Sequence, residues 1–176
     1  MEVVRLFFGL QAPPELRDAL GRWQAAQGLP ARWSRTEGLH LTLAFLGARP
    51  DTALPALEAI GATVAAGHRP FPLTTTRLGT FPEPRAPRVL WLGVSPAAAL
   101  DALAADLRHH LTGAEEAYDA RPFRAHLTLA RLMPPRQPLN LLPPEPAAWE
   151  VDQLILFGSQ PQGRYPVLRS WPLAGV

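Results

Sequence analysis

The 176-residue sequence predicts an α+β fold in which antiparallel sheets face a central groove and helices cover their outer faces. Short apolar strands and amphipathic helices are mixed along the chain, without the strict alternation of a parallel, doubly wound sheet. In addition, the heptapeptide at residues 40–46 (HLTLAFL) recurs at residues 126–132 (HLTLARL), 86 residues later (126 − 40), with six of seven residues identical. We therefore expect one domain over residues 1–176, built from two related lobes.

The first half of the chain carries signals for two helices between strands. Pro13 and Pro14 suit a first helical turn, Asp51 is the expected N-cap of a second helix, and Gly67 is expected to end it. The predicted elements, in order, are a strand at 3–10, a helix from 13 to about 26, a short extended stretch around Trp33, the first repeat strand at 39–46 closed by Gly47, and a helix from 51 to about 66.

The second half combines strands with one further helix. Leu100, Leu103 and Leu107 recur at helical spacing, and Gly113 is expected just beyond the helix end. The predicted elements are strands at 71–78 and 88–94 around a proline-rich turn at 81–87, a helix at 96–111, the second repeat strand at 125–132, a proline-rich loop at 134–146, and strands at 150–157 and 165–171.

Each repeat contains a His-x-Thr motif, His40 with Thr42 and His126 with Thr128. In a β-strand, residues i and i+2 project from the same face, so each histidine and its threonine point into one space. An isolated His-x-Thr is most often an ordinary half-buried pair. A duplication that only preserved packing explains the shared leucines, but it gives no reason to keep both polar residues of both copies.

Composition limits the classes of function. Cysteine is absent, which excludes disulfides, thiolate metal sites and a cysteine nucleophile and fits a reducing cytoplasm. All 17 basic residues are arginine, and arginine grips phosphate through paired hydrogen bonds. No apolar run reaches the length of a membrane-spanning helix, and the N-terminus lacks the features of a signal peptide. We expect a cytoplasmic monomer without a membrane partner.

Two histidines that face one substrate can divide proton transfer, since one imidazole accepts a proton while the other donates one. The two threonine hydroxyls can hold non-bridging phosphate oxygens between the imidazoles. This set is sufficient to open a cyclic phosphodiester at an RNA end. We expect no metal and no cofactor, because no carboxylate accompanies either motif to complete a metal site.

The two motifs resemble the signatures of the two-histidine phosphoesterases, specifically the bacterial and archaeal RNA 2',3'-cyclic phosphodiesterases historically named 2',5'-RNA ligases. The resemblance rests on residues 40–47 (HLTLAFLG) and 123–131 (FRAHLTLAR), and extends to residues 5–10 (RLFFGL), Trp33, 156–159 (LFGS) and 163–165 (GRY). One position departs from the pattern: a proline often precedes the second family histidine, and Ala125 stands there. The departure implies only a local effect on the backbone.

This resemblance implies a bilobal fold with a water-filled groove, and metal-independent hydrolysis of RNA 2',3'-cyclic phosphate ends to 2'-phosphates. It also implies weak, reversible joining of RNA ends through 2',5' linkages. The implied partners are RNA ends or tRNA fragments that carry the cyclic phosphate. By the same resemblance, His126 activates water and His40 protonates the leaving O3', although the near-identical motifs leave the two roles interchangeable by sequence.

The resemblance further implies that Thr42 and Thr128 hold the phosphate and that Arg131 contacts the substrate. Phe45 is the counterpart of Arg131 in the first motif and offers a face for base stacking. Both residues lie five positions beyond their histidines, and ideal strand alternation turns them to the opposite face. A twist or bulge in each strand is therefore required to bring Phe45 and Arg131 to the substrate.

Three other interpretations remain open from the sequence. The same chemistry suits a small cyclic nucleotide, and a non-catalytic module would use the histidines only to hold RNA or nucleotide phosphate. A purely structural protein would instead bury both histidines in a state that cannot be protonated. Affinity that falls steeply with salt would favour RNA over a small nucleotide.

Overall fold

The structure is a computed structural model that describes residues 2–82 and 84–176. Nine strands and three helices follow one another along the chain: β1 (Val3–Gln11), α1 (Pro14–Ala25), β2 (Ala31–Trp33), β3 (His40–Pro50), α2 (Leu54–Ala66), β4 (Phe71–Phe81), β5 (Val89–Val94), α3 (Ala98–Gly113), β6 (His126–Leu132), β7 (Ala148–Val151), β8 (Gln153–Ser159) and β9 (Val167–Pro172). Short 3-10 turns precede β3, α2 and β9. None of these helices has the length and apolar character needed to cross a membrane.

The strands form one curled antiparallel sheet in the order β7-β4-β5-β6-β3-β1-β8-β9, with β2 added beside the end of β6. The two halves that the repeat predicts are continuous, because the repeat strands β3 and β6 are neighbours. Leu41 opposite Leu127 is the residue pair that joins them. The two strands overlap only briefly, because β3 begins at His40 and β6 begins at His126, and β2 pairs with the rest of β6.

The core lies on one face of the sheet, where all three helices pack. Alternate residues of β1 show the division: Leu6, Phe8 and Leu10 belong to the main core, whereas Phe7 belongs to a separate small cluster on the opposite face. The leucines of both motif strands that fall between the polar residues are also buried in the main core. The face of the curled sheet without helices carries Phe7 and the small cluster around it, and we refer to this face as the groove.

The α+β class, the antiparallel pairing and the placement of the helices are confirmed, and most element boundaries agree within a few residues. Asp51 is not the N-cap of the second helix: it begins a 3-10 turn, and Ala53 occupies the N-cap of α2. Gly47 does not end the first repeat strand, because its positive φ of 73° accommodates an irregularity in β3, which continues to Pro50.

The close approach of β1 and β3 requires glycine at position 9. A Cβ atom on Gly9 would lie 2.6 Å from the backbone oxygen of Leu41, beside the first motif. Because a backbone atom cannot rotate away, the two strands would have to separate. We expect Gly9→Ala to lower the free energy of unfolding by about 1–3 kcal/mol, measured by urea denaturation.

The matched control is Gly113→Ala at the end of α3, where a Cβ atom would meet nothing within 4 Å. This variant is expected to be neutral or slightly stabilising, since alanine is favoured over glycine in helices. Equal stability of the two variants would contradict the proposed steric constraint at Gly9.

Candidate active site

The two His-x-Thr motifs lie side by side on the groove face of the sheet. With Leu41 opposite Leu127 in an antiparallel pair, the register places His40 opposite Thr128 and Thr42 opposite His126. Directly opposed Cβ atoms on neighbouring strands are about 4.5–5.5 Å apart. Both leucines are fully buried on the core side, so the four polar residues point together into the groove.

Each histidine makes the same local hydrogen bond. The Nδ1 atom of His40 lies 2.6 Å from the carbonyl oxygen of Gly38, and the Nδ1 atom of His126 lies 2.7 Å from that of Arg124. A carbonyl oxygen only accepts, so Nδ1 carries the proton in both rings. The neutral imidazoles therefore carry an unprotonated Nε2, which is a base when neutral and an acid when the ring is protonated.

His40 is packed among aromatic side chains. The ring centroids of Phe7, Tyr165 and Phe157 lie 4.6, 4.8 and 5.6 Å from its own. Burial lowers the pKa of His40 below its ordinary 6.5, against the opposing effect of the hydrogen bond to Gly38, and the nearby charge of His126 lowers this pKa further. The charge of His126 thus acts on His40, which places the two imidazoles within electrostatic range of each other.

His126 has a different aromatic surrounding. Its ring contacts Phe81 edge to face at a centroid distance of 5.3 Å and lies 6.3 Å from Trp91. Burial also lowers the pKa of His126, while its hydrogen bond to Arg124 raises it. The indole of Trp91 lies directly over Gly79, where a Cβ atom would overlap it. Glycine at 79 thus admits the ring that flanks His126.

Each motif strand contains a bulge, which interrupts the regular alternation that would turn Phe45 and Arg131 away from the groove. In β3, Gly9 pairs with Thr42 but Phe8 pairs with Ala44, which leaves Leu43 as an extra residue. In β6, Trp91 pairs with Thr128 but Leu90 pairs with Ala130, which leaves Leu129 as the extra residue. The two extra leucines occupy equivalent places in the repeat, and a bulge changes the face to which later residues point.

The bulges turn Phe45 and Arg131 to the groove face. Phe45 packs with the Phe7 cluster that surrounds His40, and the guanidinium of Arg5 lies 5.6 Å from its ring centroid. Arg131 is exposed on the same face as His126 and Thr128. Both residues are therefore on the face of the sheet that the resemblance requires.

The bulged carbonyl groups have hydrogen-bond donors outside the motif strands. The Nε of Arg108 on α3 donates to the oxygen of Leu43 over 3.2 Å. The backbone N–H of Ser34 donates to the oxygen of Leu129 over 2.8 Å, and its hydroxyl donates to the oxygen of Thr128 over 2.8 Å. These bonds hold both bulges in place, because buried backbone oxygens need partners.

The other three histidines lie outside the groove cluster. His68 and His110 both contact the carboxylate of Asp106, at 2.9 and 3.2 Å. His109 is exposed on α3. Across residues 2–82 and 84–176, no group of three or more histidine, cysteine, aspartate or glutamate side chains converges as metal ligands would.

The sequence analysis did not identify the aromatic side chains that flank His126. Phe81 begins the predicted turn at 81–87 and Trp91 lies in the predicted strand at 88–94, yet both flank His126. Their signal was present in the alternation of β5 and β4: Trp91 and Gly93 occupy one face, and Gly93 pairs with His126. Without the strand partners this face could not be recognised as the groove.

Comparison with known proteins finds a family and close structural matches. The family model of the 2'-5' RNA ligase superfamily matches residues 12–161. RNA 2',3'-cyclic phosphodiesterase from Thermus thermophilus is 36% identical over 98% of this chain and 91% of its own. The enzyme of that name from Geobacillus stearothermophilus is 35% identical over 97% of this chain, which spans 57% of that relative's length. The crystal structure of Escherichia coli LigT complexed with 3'-AMP matches with a TM-score of 0.82 at 31% identity, covering 98% of this chain and 99% of that one.

The electrostatic effect of His126 on His40 is directly measurable. Replacing His126 with asparagine removes a neighbouring positive charge, so the pKa of His40 is expected to rise while burial keeps it below 6.5. The measurement is an NMR titration of the histidine Cε1–H signals in the two proteins. His109→Asn on the exposed face of α3 is the control and should leave the pKa of His40 unchanged. If the pKa of His40 is unchanged or lower in His126→Asn, the two rings do not share a site.

Proposed function

Because the chain belongs to the 2'-5' RNA ligase superfamily, we propose that it hydrolyses the 2',3'-cyclic phosphate at an RNA end to a 2'-phosphate. The observation that carries this proposal is the pair of equivalent histidines on neighbouring strands, each held through Nδ1 and each opposite the threonine of the other motif. Relatives that span nearly all of the chain bear the name of this activity, which supports the same conclusion.

In the proposed reaction, a water molecule attacks the phosphorus of the cyclic phosphate. The neutral Nε2 of His126 accepts a proton from this water as the new P–O bond forms. The P–O3' bond breaks, and the protonated Nε2 of His40 donates its proton to the departing O3'. The product carries a 2'-phosphate and a free 3'-hydroxyl, and the two rings then exchange protons with solvent to regain their starting states. If a 5'-hydroxyl replaces water, the same steps form a 2',5' linkage.

Thr42 and Thr128 hold the phosphate in this proposal. In the register set by Leu41 and Leu127, each threonine falls opposite the histidine of the other motif, so each motif can supply one hydroxyl donor to the phosphate. Fixed donors aimed at an oxygen that gains charge in the transition state commonly contribute about 2.7–4 kcal/mol each. Phe45 offers a face for a base beside His40, and Arg131 offers a cation beside His126.

The low pKa of His40 is compatible with a role as the acid. A protonated imidazole of low pKa transfers its proton more readily to O3'. In the free protein, burial and a charge on His126 both lower the pKa of His40. The anionic cyclic phosphate between the rings opposes both effects, since a nearby negative charge stabilises a protonated imidazole. Substrate binding thus favours the protonated form of His40.

The two imidazoles and two hydroxyls provide every proton transfer and phosphate contact in these steps, so we propose that turnover needs no metal. Both motifs come from one chain, which supports a monomer as the acting form, and the absence of cysteine fits a cytoplasmic location. A binding module without catalysis would use the same donors, so turnover of a defined substrate is the test.

We expect His126→Ala and His40→Ala each to lower kcat by about 10²–10⁴-fold, because each removes one proton transfer. The assay uses an oligoribonucleotide with a 2',3'-cyclic phosphate end, in EDTA, and locates the product phosphate on O2' or O3'. His109→Ala is the matched control and should retain activity. Metal-dependent turnover, or variants that lose binding in proportion to activity, would contradict the mechanism.

The assignment of acid and base has its own test. A substrate with sulfur in place of the bridging O3' has a leaving group that needs little protonation. We expect it to restore most of the activity of His40→Ala and little of that of His126→Ala. The opposite pattern would exchange the two roles without affecting the proposed reaction.

A further inference from the structure

A second cation stands directly beside Arg131 on the groove face. Arg32 of β2 is the cross-strand partner of Arg131 on β6. Its neighbours in β2, Ala31 and Trp33, pair with Leu132 and Ala130 and pack against the main core. Because alternate strand residues point to opposite faces, Arg32 must point into the groove. Both arginines are exposed.

Two like charges in directly opposed positions destabilise a sheet. In the parts of the chain that the structure describes, neither guanidinium has a carboxylate within ion-pair distance, in contrast to Arg35, Arg49 and Arg169. The fold nevertheless holds the pair together, because Ser34 fastens the end of β2 to the bulge of β6. An arrangement that is unfavourable in the free protein becomes favourable when an anion lies between the two cations.

The position of this pair relates it to the phosphate clamp. Between Thr128 and Arg131 the bulge absorbs one residue, so the two Cα atoms are separated by about two strand steps, or about 7 Å. A guanidinium on a long side chain extends farther from the site of hydrolysis. The scissile phosphate occupies the space between the histidines, and the next phosphate of a chain is the anion that reaches the arginine pair.

We propose that Arg32, together with Arg131, binds the phosphodiester on the 5' side of the terminal nucleotide. The inference rests on the proposed function and narrows the substrate to an RNA chain of at least two nucleotides. Arg32 acts as a specificity determinant: the planar guanidinium donates paired hydrogen bonds to the non-bridging oxygens of that phosphate. The corresponding groove residue of β3 is Phe45, so the phosphate path runs along the half that contains β2 and β6.

The test compares three substrates that share a uridine 2',3'-cyclic phosphate end. The first is the mononucleotide, the second is a dinucleotide with a natural phosphodiester, and the third is the same dinucleotide with an uncharged methylphosphonate linkage. We expect the wild-type protein to prefer the natural dinucleotide over the methylphosphonate by about 10- to 100-fold in kcat/KM. In Arg32→Gln this preference should fall to a few-fold.

A second readout is the salt dependence. Loss of one phosphate contact is expected to make kcat/KM for the natural dinucleotide less sensitive to salt, because salt screens the attraction between the guanidinium and the phosphate. Arg22→Gln is the control for the loss of one positive charge, because Arg22 is an exposed residue of α1 on the helical side of the sheet. This variant should keep the wild-type preference for the natural dinucleotide.

The outcomes separate this inference from the proposed function. If the wild-type protein hydrolyses all three substrates equally well, or if Arg32→Gln lowers all three by one common factor, the 5' phosphate site is wrong although the enzyme is confirmed. If no substrate is hydrolysed, the proposed function fails, and calorimetric binding of the two dinucleotides decides the role of Arg32. Equal affinity for charged and uncharged linkages would then overturn it.

Discussion

The contact between β3 and β6 at Leu41 and Leu127 is the constraint on which the groove depends. This single pair joins the two halves of the sheet and sets both motifs in register, so that each histidine lies opposite the other motif's threonine. A slip of either strand by one residue would turn its histidine and threonine into the core and expose its leucines. Full burial of both leucines therefore stabilises the fold and orients the reactive groups at the same time.

The bulges extend this arrangement beyond the histidines. Regular alternation would continue past the threonines, so that Ala44 and Ala130 faced the groove while Phe45 and Arg131 faced the core. One extra residue, Leu43 in β3 and Leu129 in β6, lets two consecutive residues stay buried and brings a further side chain to the groove. Each bulge leaves carbonyl groups without a partner in the strand ladder. Arg108 and Ser34 donate hydrogen bonds to these carbonyl groups. Residues remote from substrate are thus needed for the geometry of the groove.

Local sequence was sufficient for most of the elements and for placing the two motifs on strands, since these follow from turn residues, apolar periodicity and a repeat with six of seven residues identical. The predicted strand at 150–157 is instead two strands, β7 and β8, which pair with different partners. Local sequence was insufficient where the structure depends on partners distant in sequence. The aromatic contacts of His40 come from β1, β8 and Tyr165, which no local pattern connects. The pairing of Arg32 with Arg131 depends on β2 leaving its own half to lie beside β6. Asp51 resembled an N-cap by residue type alone, yet a 3-10 turn moved the helix start by three residues.

The two halves have the same motif on similar strands, but different side chains surround the two histidines. This difference makes the two imidazoles chemically unequal. Around His40, Phe7, Phe157 and Tyr165 exclude water, which disfavours the charged ring until an anion arrives. On the side of His126, the groove opens towards exposed Arg131 and Arg32. An apolar, aromatic half suits a stacked base, whereas a cationic half suits the phosphates of a chain. The repeat supplies two equivalent imidazoles, and in the proposed mechanism their unequal surroundings distinguish the acid from the base.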